Sequence, residues 1–559
     1  MADTSSNLRT GGQILVDCLR LHGVDTVFCV PGESYLAALD AFHDVQDQIN
    51  LVVCRQEGGV TNMADAWGKM TGKPGVAFVT RGPGATNASV GIHTAHQDST
   101  PLILFVGQIA RDMSEREAFQ EVDYRRMFGE MTKWVAQIDN PARVPEMVSR
   151  AFHVATSGRP GPVVLALPED MQTERADAED GQPYHSAQAN PGAADLATLR
   201  DMLDAAKKPL VLAGGGGWTP EACADLAAFA EQNHLPVAVS FRRQDLMDNR
   251  HPNYAGVIGL GINPKLKARL DETDLLIVLG PQLGEIVSGG YTYFTFPKPK
   301  QPFIHISAGV DELGKVYQAD LGINSGMAEF CAAARAMDPV DGAWVGEAAT
   351  AHADYMAFSS PAPMPGDVNY SEIVGWLSEN LPENSVITNG AGNYTVWVHR
   401  FFRYKQYGTQ LAPQSGAMGY GVPSGVSAAV RHRDRVVVSF SGDGCFQMNG
   451  QEIGTAVQQG AKVIFVVVNN GMYGTIRMHQ ETHYPKRKSG TDLVNPDFAA
   501  LARAYGAHGE TVTKTADFEA AFERCRAVDG PSLIELVIDP DAVLPTSTLS
   551  GIQAAALKA

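Results

Sequence analysis

The sequence predicts an α/β chain of three doubly wound parallel-sheet domains of similar size. Three observations carry this. Short β-branched runs, almost uninterrupted by polar residues, alternate with longer amphipathic stretches along the 559 residues, the pattern of strands covered by helices on both faces. A polar run at 172–192 reads as a linker, and an Ala/Pro-rich stretch at 338–367 makes a second division. The 56 glycines point to many tight strand-to-helix turns rather than to low complexity.

Taken in order, a helical run at 14–19 leads into strands at 26–30, 51–54, 76–80, 102–106 and 163–167. The second block opens on PLVLAGGGG at 209–217 and carries strands at 274–280 and 303–306. The third has strands at 385–388, 436–440, 463–468 and 532–537. These runs set the expected domains at 1–175, 190–340 and 365–545, with a C-terminal tail at 546–559. There is no short-period repeat.

Composition narrows the function classes. Hydrophobic residues make up 44% and charged residues 19%, ordinary globular usage that excludes disorder and coiled coil. With 44 Lys+Arg against 62 Asp+Glu, the net charge of −18 argues against a nucleic-acid partner. The longest apolar runs, such as 463–468, fall far short of the ~20 residues that span a bilayer, so no membrane association is expected. The polar start at 1–9 has no signal-peptide core, and the seven cysteines are odd in number with no CxxC pair. Reduced thiols, no zinc site and a cytoplasmic location are the expectation. Large multidomain chains of this kind are usually enzymes.

The segment that carries most chemistry is SGDGCF at 441–446, followed 27 residues after Asp443 by Asn470 within NNG at 469–471. Both follow apolar strands, so both belong at carboxyl ends, where open α/β sheets bind ligands. An Asp carboxylate, an Asn carbonyl and a main-chain carbonyl are hard oxygen ligands for Mg²⁺ or Ca²⁺, with diphosphate oxygens completing the shell. The glycines let main-chain N–H groups approach phosphate at the following helix. A bare GDG also fits a plain strand-end turn; the pairing with NNG at strand–helix–strand spacing is what favours a metal–diphosphate site.

GDG followed at this distance by NN resembles the thiamine-diphosphate fingerprint. The first block agrees: VPGE (30–33), CRQEGG (54–59), TRGPGATN (80–87) and AFQE (118–121) are similar to the pyrimidine domain of the acetolactate synthase/pyruvate oxidase family. GPVVLALP at 161–168 resembles that domain's closing strand, and the likeness covers nearly the whole chain. It implies a pyrimidine-binding domain, a central half-Rossmann domain and a diphosphate-binding domain. Glu57 matches the glutamate that hydrogen-bonds the aminopyrimidine N1′, favouring the imino tautomer that removes the thiazolium C2 proton. Met418, within SGAMGYG at 415–421, matches the apolar prop that bends the cofactor into a V. Mg²⁺ is implied at Asp443, Asn470 and the carbonyl of Met472. Gly444, Cys445, Tyr473, Gly474 and Thr475 are implied around the diphosphate. Gly390, Asn393, Tyr394 and Gly416 join the cofactor-binding set, as do Gly32, Glu33 and Asn87 from the first block. Asn393 and Tyr394 stand where acetolactate synthases have Gln and His. Gln120 matches the glutamine that reaches the reaction centre.

Other positions depart from the family pattern. Glu33 replaces the second glycine of Pro-Gly-Gly and places a carboxylate near the cofactor. His96 replaces a pocket phenylalanine; it is a candidate for proton transfer or for pairing with a 2-oxo acid carboxylate, and a hydrogen-bonded helix histidine fits as well. His479 replaces the tryptophan that shapes the acceptor pocket. The central block reads GPQLGE at 280–285 where flavin-binding synthases carry Arg-Phe-Asp-Asp-Arg, which leaves FAD open. The activity implied is decarboxylation of a 2-oxo acid with carboligation to a second carbonyl. The alternatives are a simple 2-oxo acid decarboxylase, a 2-hydroxyacyl-CoA lyase or, in another class, a catalytically silent thiamine-diphosphate-binding regulator. Sites formed between subunits imply a homodimer or homotetramer.

Overall fold

Nearly continuous apolar runs form strands because β-branched side chains pack well on a pleated surface buried on both faces. In a computed structural model describing residues 8–558, they make three six-stranded sheets. The polar residues 1–7 and the final Ala559 lie outside the described residues.

The first sheet comprises β1 (Thr26–Cys29), β2 (Asn50–Val53), β3 (Gly75–Val79), β4 (Leu102–Gln108), β5 (Trp134–Gln137) and β6 (Pro162–Pro168). The second comprises β7 (Pro209–Ala213), β8 (Val237–Ser240), β9 (Tyr254–Ile258), β10 (Leu275–Leu279), β11 (Phe303–Ser307) and β12 (Leu321–Asn324). The third comprises β13 (Val386–Asn389), β14 (Gln410–Leu411), β15 (Val437–Gly442), β16 (Ile464–Asn469), β17 (His508–Val512) and β18 (Ser532–Val537). Their orders are β2-β1-β3-β4-β6-β5, β9-β8-β7-β10-β11-β12 and β14-β13-β15-β16-β18-β17. Pairing within each sheet is parallel, as in β15 beside β13 and β16. Each order reverses direction between two central strands, the place where doubly wound sheets open a ligand crevice.

Every strand expected from the sequence is present, and six more join them. Five of those, β5, β9, β12, β14 and β17, are sheet edges. Edge strands need only one buried flank and often one buried face; β12 and β17, for example, are mostly half-buried, so their apolar signal is diluted. The sixth, β8, is only four residues long. The linker expected at 172–192 begins later than its polarity indicates. Arg175–Asp177 pairs antiparallel with Leu8–Thr10, and regular structure is absent only from 178 to the helix Ala193–Ala205. The 338–367 stretch contains the helix Glu347–Phe358, where alanines favour helix over loop. After 546 the chain forms the helix Leu549–Ala556, which is held on the helix Gly474–His483 by Gln553 Nε2 donating to Glu481 Oε2 at 2.7 Å.

The first and third sheets share one hydrophobic core, whose residues run from Phe28 to Leu533. Helix α1 (Glu57–Thr71) packs there against helix α2 (Pro83–Asp98) and against helix α3 (Gly421–Arg431) of the third unit. The second sheet keeps cores of its own on its two faces. Among the described residues, no helix is long and apolar enough to cross a membrane.

Candidate active site

The crevice of the third sheet opens where β13, β15 and β16 end. It is a cleft of about 840 Å³, and every residue lining it comes from the stretch 391–543. Asp443 follows β15 directly, and the register of Gly442 against Val468 sets it beside the end of β16, which leads into Asn470. Asp443 is 3% exposed. Its Oδ1 accepts from Gly444 N–H at 2.9 Å and its Oδ2 from Asn495 Nδ2 at 2.8 Å. Burial pushes its carboxyl above the ordinary aspartate range; the hydrogen bonds from Asn495 and from main-chain N–H groups of 444, 471 and 472 oppose that rise. No Lys, Arg or His forms an ion pair with it among the described residues.

Asn470 and Met472 stand in a loop held from outside the motif. Tyr473 N–H donates to Thr491 O at 2.8 Å, Leu493 N–H donates to Gly471 O at 2.9 Å, and Met472 bridges Asp492. Asn470 Oδ1 accepts from Met472 N–H at 3.2 Å, and Met472 O accepts from Gly474 N–H at 2.9 Å. One buried carboxylate lacking a positive neighbour, one amide oxygen and one main-chain carbonyl form an oxygen donor set that fits Mg²⁺ with phosphate oxygens filling its remaining positions. The described residues hold no group of three or more His, Cys, Asp and Glu arranged for a metal.

The remaining expected cofactor residues of this unit gather around the same cleft. Asn393, Tyr394, Gly416, Met418, Gly444, Cys445, Tyr473, Gly474 and Thr475 line it. Gly390 lies just behind, its N–H donating to Tyr394 Oη at 3.0 Å. The Tyr394 hydroxyl is further committed to Cys445 Sγ at 3.4 Å, so its ring rather than its hydroxyl faces the cleft. Cys445 Sγ also accepts from Gly419 N–H at 3.1 Å, tying the Asp443 turn to the loop that carries Met418. Thr475 Oγ1 donates to Asn393 Oδ1 and accepts from Asn393 N–H, both at 2.9 Å.

Glu57, Asn87, Gly32, Glu33 and Gln120 cluster instead at the carboxyl ends of the first sheet, and none of them lines the cleft. Glu57 begins α1, and Asn87 Nδ2 donates to its Oε2 at 2.9 Å. Gly84 packs closely there: a Cβ at that position would lie 2.8 Å from the Thr80 methyl and in ordinary contact, 3.4 Å, with Glu57 Oε1. Gln120 takes a left-handed φ of +66° over Gly82. The Glu33 carboxylate is not free: Arg81 donates to it at 3.0 Å and to Glu169 at 2.9 Å, making a Glu–Arg–Glu bridge across three strand ends. His96 sits near the end of α2 and lines a separate groove with Lys133, Arg159 and Asp311. Burial and neighbouring Arg159 push its imidazole below the usual histidine range. His479 is exposed on the helix Gly474–His483.

In the Gly-rich turn at 214–217 of the central unit, three glycines stand hard against neighbouring protein atoms. A Cβ on Gly214 would lie 2.1 Å from Ser240 Oγ, on Gly215 2.2 Å from Gly280 O, and on Gly216 2.2 Å from Ser99 O. These glycines are needed for close packing on the side where a Cβ would stand.

Two site residues escaped sequence reasoning. Asn495, 52 positions beyond Asp443, orients it and bonds Asn469 Oδ1 at 2.9 Å as well. Glu452 is buried in the third unit and accepts from the main-chain N–H groups of Arg55 and Gln56, both at 3.0 Å, fixing the entry to α1 and so to Glu57. Burial raises its carboxyl above the ordinary range. Neither residue belongs to a spaced motif, so only the fold reveals them.

Comparison with known proteins agrees with this layout. The chain matches the N-terminal TPP binding domain of thiamine pyrophosphate enzymes over 9–127, the central domain over 196–334 and the C-terminal TPP binding domain over 390–536. It is 32% identical to the acetolactate synthase large subunit of Parasynechococcus marenigrum, across 90% of this chain and 83% of that protein. It is 31% identical to the acetolactate synthase isozyme 2 large subunit of Escherichia coli, across 95% of each. A probable acetolactate synthase large subunit of Methanocaldococcus jannaschii is 30% identical across 96% of this chain and 93% of that protein. The chain belongs to the thiamine pyrophosphate enzyme family, among relatives that are acetolactate synthase large subunits.

Proposed function

We propose that the protein uses thiamine diphosphate and Mg²⁺ to decarboxylate a 2-oxo acid and to join the remaining acyl unit to a second carbonyl, as the names of its relatives imply. The observation that carries the reading is the buried, cation-free Asp443 carboxylate beside Asn470 and the Met472 carbonyl at the mouth of the cleft. When bound, thiamine diphosphate supplies the electron sink that decarboxylation requires. Asp443, Asn470 and Met472 O would hold the metal, and Gly474 and Thr475, at the start of their helix, would face the diphosphate. Met418 would prop the bent cofactor. Glu57, steadied by Asn87, would hold and release a proton at the pyrimidine ring.

Because Glu57 and its neighbours do not line their own chain's cleft, this reading assigns them to the cleft of a second copy, making the homodimer the smallest complete unit. Gln120 would reach the reacting atoms from the same face. No step of this reading requires FAD.

Two experiments test the proposal. Incubation with pyruvate, thiamine diphosphate and Mg²⁺ should yield CO₂ and acetolactate. Aldehyde as the sole product would reassign the enzyme to plain decarboxylation, and no CO₂ from any of a panel of 2-oxo acids would refute both. Glu57→Gln should lower turnover by about 10²-fold or more while cofactor still binds; turnover equal to the parent's would remove its assigned role.

A further inference from the structure

The loop that carries Gly416 and Met418 is gripped by buried charges from the two other units. Four consecutive residues at its start each meet one. Lys69 Nζ, on α1, donates to Ala412 O at 3.2 Å. Arg242 Nη1, just after β8 of the central sheet, donates to Pro413 O. Asp98, the last residue of α2, accepts from Gln414 N–H at 3.0 Å and Ser415 N–H at 3.1 Å. The grip is tied together beneath the loop: Lys69 pairs with Asp98 at 2.5 Å and with Asp65 at 2.8 Å, and the Tyr420 hydroxyl donates to Asp65 at 2.6 Å.

This is an expensive arrangement in a protein interior. Arg242 is 4% exposed, lacks an ion-pair partner among the described residues, and leaves its Nε unpartnered. Its backbone sits at φ +64°, where a residue with a side chain is strained. Two aspartates and two cations buried together leave the cluster near neutral, which makes its burial tolerable, but an apolar filling would satisfy packing as well. Charge-assisted hydrogen bonds to successive main-chain groups do what an apolar filling cannot: they fix a loop in one register. Helix packing alone does not call for Arg242, whose one hydrogen bond goes to the loop.

We propose that Lys69, Asp98 and Arg242 are positioning residues that lock the 412–418 loop against the cleft, and that supplying Arg242 is the central unit's part in the site. The inference deepens the cofactor reading of the cleft, since the loop delivers Met418 to it. It also gives the central unit a role that needs no bound flavin: through Arg242 the placement of that unit bears directly on the shape of the site.

The test uses the full chain with Arg242→Met and Asp98→Ala, and Arg242→Lys in case the first variant does not fold. Amide hydrogen exchange is measured first without cofactor. Residues 412–418 should exchange about tenfold faster than in the parent, the loss of one charge-assisted bond, while amides of β7 and β10 stay protected. Titration with thiamine diphosphate and Mg²⁺, followed by fluorescence of Trp397 in the cleft wall, should show about tenfold weaker binding in the same variants. Parent-like loop exchange, or exchange rising equally across β7 and β10, would overturn the clamp. A parent that binds no thiamine diphosphate would overturn the cofactor reading instead, and loop exchange would still decide the clamp.

Discussion

Two glycine-rich turns end parallel strands in this chain, and only one of them carries a carboxylate into the cleft. The turn after β15 carries Asp443 and opens on a cleft of about 840 Å³. The turn after β7 is met by Ser99 O, Ser240 Oγ and Gly280 O at 2.1–2.2 Å from ideal Cβ positions. Glycine signals close approach in both cases: a Cβ on Gly444 would lie 2.5 Å from the Tyr473 ring, as one on Gly216 would lie 2.2 Å from Ser99 O. In the third unit, the distant Asn495 holds the Asp443 carboxylate in place, and the 491–493 segment holds the 471–473 loop beside it. In the central unit, Ser99, Ser240 and Gly280 stand against the glycines of the turn.

Substitutions can break this contrast, beginning with the largest effect. Asn495→Ala removes the bond that orients Asp443, and should weaken Mg²⁺-supported binding of thiamine diphosphate about tenfold. Titration calorimetry giving the parent affinity would mean that the Asp443 turn needs no outside support. Gly216→Ala should leave that binding unchanged but destabilise the protein by about 1–3 kcal/mol, because the new methyl meets Ser99 O, a main-chain atom with little room to move. A thermal midpoint equal to the parent's would show that the central turn is less tightly filled than its distances indicate. Gly416→Ala is the mildest case: nothing lies within 4 Å of the added Cβ, but φ is +71°. It should cost only about 1 kcal/mol, from backbone strain alone. A larger loss, seen in denaturant unfolding, would mean that the loop has a packing partner at that position.

The three-sheet architecture and the Asp443–Asn470 pair were legible in the sequence because their signals are local; other cleft residues such as Met418 and Tyr473 came from the family resemblance, and the wall at Ile538, Ala542 and Val543 carried no signal. β15 and β16 are apolar runs with GDG and NNG at their ends, and the spacing between them is that of one strand–helix–strand step. Edge strands such as β12 and β17 were not legible, since half-buried strands dilute the pattern. Glu33 shows a different limit. Its identity marks a carboxylate at a strand end, but only the fold brings Arg81 and Glu169 to either side of it. Asn495, Glu452 and Arg242 share that limit: each acts through a hydrogen bond to a segment at least 26 residues away, and no spacing rule encodes such a contact.

The central claim is that the Asp443 turn holds thiamine diphosphate through a divalent cation. The most direct measurement is titration of the cofactor into the parent and into Asp443→Ala, with Mg²⁺ and again with EDTA, read by Trp397 fluorescence. The account predicts saturable binding by the parent that EDTA abolishes, and no Mg²⁺-dependent binding by Asp443→Ala. Equal, EDTA-insensitive binding by both proteins would contradict it.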